Sequence, residues 1–253
     1  MSADPPTGAA VAADGLKQRE DWPGNSFLAG LSESVIEDLL EAGRVLRFGK
    51  GRRLIEENDS ATEVFLLLSA GVKVTADLGG GRQALLAVRL GGDVVGELAG
   101  VDGERRLATV TACGREPVIA AVLKRTDFDA VLERHPEAQR ALSAVVSRKF
   151  RTATRRRVDF AGATSEIRLA RALAELAEDY GRPIPEHGTV IRINLTQIEL
   201  GTLVGVSEAT AQRSLRMLRE RNLVALDGRR PIVPDLDALR AAGQETWWAE
   251  PVG

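Results

Sequence analysis

The chain has 253 residues, 28% of them charged and 44% hydrophobic, with a formal net charge of −2. That is globular composition at a length suited to two modest domains, and a near-neutral balance still leaves room for a local basic face that binds nucleic acid. The single cysteine, Cys113, excludes an intramolecular disulfide framework and a cysteine-ligated iron–sulfur cluster, and apolar runs such as residues 64–68 are far too short to span a bilayer.

Residues 1–26 are rich in Ala, Pro, Gly, Asp and Ser without a sustained period, and a flexible tail is expected there. They lack a basic stretch followed by an apolar one, so no secretion signal is expected and the expected compartment is the cytoplasm. Leu31, Val35, Ile36, Leu39 and Leu40 stand at helical spacing and predict a helix over 31–42, capped by Ser32 or Ser34. From 45 to about 122 the pattern turns to short strands: the continuous run 64–68, the alternating 72–75, a Gly-rich turn at 77–81 into 84–88, then 108–111 and 118–123. Many short strands at close spacing argue for a β-roll or jelly roll. No histidine falls between 45 and 122, so neither a metal site of the cupin kind nor an enzyme built on one is expected. His135 and His187 read as surface residues.

Within the roll, residues 96–110 read GELAGVDGERRLATV. A Gly-Glu-Leu turn followed by an arginine that feeds a strand suits capture of an anion, and Leu107 directly after Arg106 is the oddity.

A helix beginning near Asp127 lengthens after Pro136. Ser143, Val146, Phe150 and Ala153 repeat along it at three–four spacing, the pattern of a narrow helix–helix seam, and a homodimer is expected from it. Arg148, Lys149, Arg151, Arg155, Arg156 and Arg157 crowd the same helix and read as a solvated face.

Beyond residue 163 come a helix over 166–180, a Gly-Arg-Pro-Ile-Pro loop, a strand over 189–194, two short helices meeting at Gly205, and a hairpin. That order is a winged helix-turn-helix. Thr196 and Glu199 spell a capping box for the first short helix, Gly205 supplies the turn and Ser207 caps the second. The exposed face of that second helix carries Glu208, Ala209, Gln212, Arg213 and Arg216. A helix of this kind lies in the DNA major groove. Arginine reads guanine, glutamine reads adenine and alanine meets a thymine methyl, which assigns Arg213, Gln212 and Ala209 to base edges. Thr196, Ser207, Thr210 and Arg216 suit phosphates, as do Arg229 and Arg230 in the wing.

Three runs together, 55–74, 96–110 and 195–224, resemble the CRP/FNR family of bacterial transcription regulators over about residues 27–242. The resemblance implies an α+β architecture: a β-roll sensor over 27–135, a long dimerisation helix over 136–162, and a winged helix-turn-helix over 163–242, followed by a tail at 243–253. It also implies double-stranded DNA with a pseudo-palindromic operator as partner, RNA polymerase as a further candidate partner, and no membrane. In cyclic-AMP-responsive members a Glu at the position of Glu97 accepts from the ribose 2′-hydroxyl. Backbone amides after Glu97, and an Arg where Arg106 stands, hold the phosphate, with Gly96 and Leu98 flanking the Glu in the expected site. The next position is normally Ser and is here Leu107. The Thr-Ser pair that meets adenine on the long helix becomes Ala153 and Thr154. Three alternatives stay open: cyclic AMP or cyclic GMP on Glu97 and Arg106; another effector using Arg105, Arg106 and the altered helix; or no ligand, with Leu107 packed into the roll. The family commonly has Arg-Glu after the capping Ser, and this chain has Glu208-Ala209, so an operator different from the usual one is expected, with guanine retained opposite Arg213. A nucleotide-sensing scaffold that acts through protein contacts is the rival reading. Trp247 and Trp248 in the tail would serve such contacts or dock back on the chain.

Overall fold

The computed structural model describes residues 12, 15–114, 116–228 and 230–244, with the backbone alone at 100–102. The chain divides into two compact units between Arg148 and Lys149.

The first unit is built on two four-stranded antiparallel sheets. One orders β1 (Arg44–Phe48), β8 (Val118–Leu123), β3 (Val64–Leu67) and β6 (Val94–Val95); the other orders β2 (Arg53–Ile55), β7 (Thr109–Ala112), β4 (Gly71–Gly79) and β5 (Arg82–Leu90). Helix α1 (Glu33–Glu41) precedes the strands, α2 (Glu97–Asp102) follows β6, and α3 (Arg125–Arg134) and α4 (Pro136–Gly162) follow β8. The run 64–68 is buried throughout because the strand period of two sends its side chains to two different dry surfaces. Phe65 and Leu67 join Val72, Val110 and Ala120 between the sheets. Val64, Leu66 and Leu68 join Ile119 and Leu123 beneath Val35 and Leu39 of α1, Phe128 of α3 and Leu142 of α4. Each fully buried leucine here stabilises the unit by about 1.5–3 kcal/mol.

Residues 15–26 depart from the expected flexible tail. They form a 3-10 turn at Arg19–Asp21, Trp22 is buried, and its indole Nε1 donates to the Leu68 carbonyl at 3.0 Å. Leu28 N donates to the Gly92 carbonyl at 2.8 Å just beyond. Bulk composition misses this because one tryptophan carries enough apolar surface to dock a segment that is otherwise small and polar. His135 likewise is not a free surface histidine: its Nε2 lies 2.7 Å from Asp38 Oδ2, which ties α3 to α1.

A second tie runs from α1 to α4. Ser32, at the N-cap position of α1, donates from Oγ to Glu137 Oε1 at 2.6 Å and from its amide to the same oxygen at 3.2 Å. Those two bonds, the hydroxyl first, hold the Glu137 carboxyl below its ordinary value. A carboxyl depressed in the folded state contributes stability above the unfolded pKa and loses it as the pH falls through the folded one. Ser32→Ala is therefore expected to raise the Glu137 pKa and to weaken this acid-side dependence, as read by NMR titration of the side-chain carboxyl. An unchanged pKa would remove the hydroxyl as its cause.

In the second unit, α5 (Ser165–Tyr180) is capped by Thr164, whose hydroxyl accepts from Ile167 N, and it fully buries Leu169, Leu173 and Leu176. The Gly-Arg-Pro-Ile-Pro stretch, expected as a loop, is instead mostly strand. β9 (Gly181–Ile184) pairs with β10 (Gly188–Ile191), and the sheet order is β11 (Ala225–Asp227), β12 (Arg230–Val233), β10, β9. Pro183 is tolerated because β9 is the edge strand, where a missing donor breaks no ladder bond. α6 (Gln197–Leu203), α7 (Glu208–Glu220) and α8 (Leu236–Gln244) complete the unit.

The long helix is not a body of its own over 136–162. Its first turns place Ala138, Leu142 and Val145 in the core of the first unit. Its last turns belong to the second: Arg156 pairs with Glu175 at 3.0 Å, Asp159 pairs with Arg171, and Arg168 stacks 5.6 Å from the Phe160 ring centroid. No helix among the described residues is long and apolar enough to cross a membrane.

Candidate effector cassette and nucleic-acid interface

The turn between β6 and α2 holds the first site. Gly96 takes φ +84, a conformation that disfavours any side chain, and a Cβ there would lie 2.8 Å from Arg106 Nη1, 2.9 Å from the Glu63 carbonyl and 2.9 Å from Ile55 Cδ1. Glu97 opens α2, a short helix where a turn was expected, and is 3% exposed. Arg106, 4% exposed, reaches back so that Nη1 donates to the Gly96 carbonyl and Nη2 to the Glu63 carbonyl, each at 2.7 Å. The Glu63 carboxylate stands 3.9 Å from Nη2. The Arg106 backbone is zipped to the 58–59 turn, its amide donating to Asp59 O and its carbonyl accepting from Asn58 N, both at 2.9 Å.

Burial lowers the Arg106 pKa, opposed by the negative charges of Glu63, Asp59 and Glu97. A guanidinium starts so far above neutrality that it stays a cation. It also carries more donors than these two carbonyls occupy. The fold thus brings Gly96, Glu97 and Arg106 into one dry cluster that holds both a carboxylate and a fixed cation. Leu98 is exposed, and Leu107 is 72% exposed, so Leu107 does not pack the roll. Ala153 and Thr154 are exposed on the part of α4 that belongs to the second unit.

The second site is the face of α7. Its construction follows from the capping box on α6. Glu199 N donates to Thr196 Oγ1 at 3.2 Å and Thr196 N donates to Glu199 Oε2 at 2.8 Å, so both exposed amides are met within the motif. Gly205 turns the chain at φ +68, close enough to α4 that a Cβ would meet Phe160 Cε1 at 2.9 Å. Ser207 then accepts from Thr210 N at 3.2 Å and starts α7. Ser207 Oγ also shares a hydrogen bond with Thr210 Oγ1 at 2.9 Å in which either can donate, so one of these two hydroxyls keeps its hydrogen for a phosphate. Leu215 and Leu218 are buried, whereas Glu208, Ala209, Gln212, Arg213 and Arg216 face solvent.

A groove of about 360 Å³ runs along this face, with Gln212, Arg213 and Arg216 in its wall. It also takes in Gln197, Arg219 and Leu226, which the sequence reading omitted. For Arg219 a signal was available, since it continues the three-residue spacing of Arg213 and Arg216. For Leu226 there was none, because its place depends on where the wing folds. Arg230, expected to meet a phosphate from the wing, pairs with Asp227 across the hairpin and remains partly exposed. Arg229, Trp247 and Trp248 lie outside the described residues.

Along α4, Phe150 is 71% exposed. Ser143 and Ala153 are exposed as well, and Val146 is partly buried. Val158, which the seam reading did not include, is 65% exposed further along.

Comparison with known proteins matches residues 45–135 to the family model described as a cyclic nucleotide-binding domain. Residues 167–242 match the Crp-like helix-turn-helix domain. The chain is 26% identical over 212 residues to a CRP-like cAMP-activated global transcriptional regulator of Mycobacterium tuberculosis, covering 83% of this chain and 92% of that one. Its fold is like that of FixK2 from Bradyrhizobium japonicum, with a TM-score of 0.67 at 18% identity over 81% of this chain and 98% of that one. It is also like that of CLP, a c-di-GMP-responsive global regulator of Xanthomonas campestris, with a TM-score of 0.66 at 21% identity over 81% and 100% of the two chains.

Proposed function

Because the chain belongs to the CRP/FNR family of DNA-binding transcription regulators and carries a sensor domain of the cyclic-nucleotide-binding type, we propose that it acts in the cytoplasm as a homodimer on a pseudo-palindromic operator and takes a cyclic nucleotide on Glu97 and Arg106. The observation that carries the effector reading is the bond from Arg106 to the Gly96 carbonyl, which holds a buried cation beside the backbone that presents Glu97. A carboxylate accepts from a ribose hydroxyl, and a guanidinium answers the single negative charge of a cyclic phosphate. Leu107 removes a hydroxyl donor without filling the interior. A hydrogen bond lost to a charged phosphate costs about 1.5–3 kcal/mol, or about 13- to 160-fold in affinity. For Ala153 and Thr154 as base contacts, the support is the family resemblance alone.

The same two carbonyl bonds of Arg106 favour a second reading, in which the arginine ties the cassette together and no nucleotide binds. Calorimetric titration of nucleotide-stripped protein with cyclic AMP and with cyclic GMP separates the two. Binding by the native protein, strengthened about 13- to 160-fold in Leu107→Ser, is the expected result. No heat with either nucleotide, in the native protein and in Leu107→Ser alike, sinks the effector reading.

On DNA, Arg213 reads guanine, Gln212 reads adenine and Ala209 meets a thymine methyl. Thr196, Ser207, Thr210 and Arg216 position the protein on phosphates. The seam of Ser143, Val146, Phe150 and Ala153 supports the dimer, since an aromatic side chain left mostly in water on a long helix favours a partner surface. A two-fold dimer sets its recognition helices one DNA turn apart, and RNA polymerase is the further proposed partner.

A further inference from the structure

Several arginines of the winged-helix unit are committed to carboxylates. Arg221 pairs with Glu166 at 2.9 Å, Arg230 with Asp227, and Arg240 with Glu178 and Asp237, each at 2.6 Å. Arg213, Arg216 and Arg219 are exposed and hold no ion pair or hydrogen bond among the described residues. All three line one groove, whose wall also includes Gln197 of α6 and Leu226 of β11. Glu166, Glu178, Asp227 and Asp237 are thus committed to other arginines, while three guanidiniums stand exposed along one concave surface.

Their spacing assigns them different tasks. Each step of three residues along a helix advances about 4.5 Å and turns about 60° backwards around the axis. Arg219 therefore lies about 9 Å beyond Arg213 and about 120° around from it. A recognition helix reads base edges with its N-terminal residues and leaves the groove towards its C-terminus. A side chain placed so far along and around the helix meets the sugar–phosphate rim, and it lines the same groove as Leu226 of β11. We infer that Arg219 is a backbone anchor: it grips a DNA phosphate in each half-site and carries no sequence information. The inference rests on the reading of α7 as the helix that enters DNA.

The test uses the full-length protein and a duplex selected by it from randomised DNA. Affinity is measured against salt concentration for the native protein, Arg219→Gln, Arg219→Lys and Arg213→Ala, on the selected duplex and on one with its conserved guanines replaced. Each phosphate contact contributes about 0.9 to the slope of log affinity against log salt. Arg219→Gln is expected to make that slope shallower by about 1.8 for two half-sites, with the ratio of affinities for the two duplexes unchanged. Arg219→Lys, which keeps the charge, is expected to keep the slope. An unchanged slope in Arg219→Gln overturns the anchor, and so does a changed ratio, which would make Arg219 a base reader. If Arg213→Ala also leaves the ratio intact, the assignment of α7 itself fails. If Arg213→Ala collapses the ratio while Arg219→Gln leaves the slope alone, only the anchor fails.

Discussion

Gly96→Val is expected to lower the melting temperature of the sensor unit by roughly 5–20 °C and to abolish nucleotide binding. Two independent costs meet at this residue. At φ +84 a β-branched side chain is strained by about 1–3 kcal/mol. Its first carbon would also press on Arg106 Nη1, the Glu63 carbonyl and Ile55, all within 3 Å. Crowding of that kind costs about 1–3 kcal/mol more, and here the neighbours have little freedom to retreat. Moving Arg106 breaks its bonds to the Gly96 and Glu63 carbonyls and displaces the cation proposed to hold the ligand. Gly103 provides the control, because it also has positive φ, at +72, but no atom within 4 Å of its would-be Cβ. Gly103→Val therefore bears the backbone strain alone. If the two variants melt together in differential scanning calorimetry and bind nucleotide equally, the packing account of Gly96 is wrong.

Arg213→Ala is expected to weaken binding to the selected operator by about 2–6 kcal/mol, counting about 1–3 kcal/mol for each guanine contact in a two-fold site. That is a loss of at least about thirtyfold, and it is expected to fall on the operator far more heavily than on unrelated DNA. The side chain is exposed and holds no ion pair or hydrogen bond among the described residues, so its removal is expected to leave the fold intact. Selection of DNA fragments with the variant is expected to return a motif from which the conserved guanine has gone. The native protein is expected to select an operator unlike the usual family one, because Glu208 and Ala209 replace an Arg-Glu pair and remove its contacts. Recovery of the ordinary family operator by the native protein would refute the reading of those two positions.

Where an element is defined by its own local chemistry, residues adjacent in sequence determined it. The capping box at Thr196 and Glu199 satisfies amides three residues away and closes at the expected atoms. The turn at Gly205 needs positive φ, and the strand run 64–68 is apolar on both faces because both faces are covered. Periodicity and capping are short-range physics, so they survive translation into one dimension. The family motifs are legible for the same reason, being contiguous runs.

What depended on distant partners could be decided only by the tertiary structure. Trp22 turned a segment expected to be loose into a docked one because the Leu68 carbonyl and the Gly91–Gly92 turn are there to receive it. Pro183 sits in a strand because its neighbours leave it at the sheet edge. Leu107 faces water although Arg106 before it and Thr109 two residues on are buried. Arg230 and Arg219 look alike as letters, yet one is paired with Asp227 and the other stands open in the groove with Arg213. A charge acquires its role from whichever carboxylate the fold brings within reach, and that distance is not written along the chain.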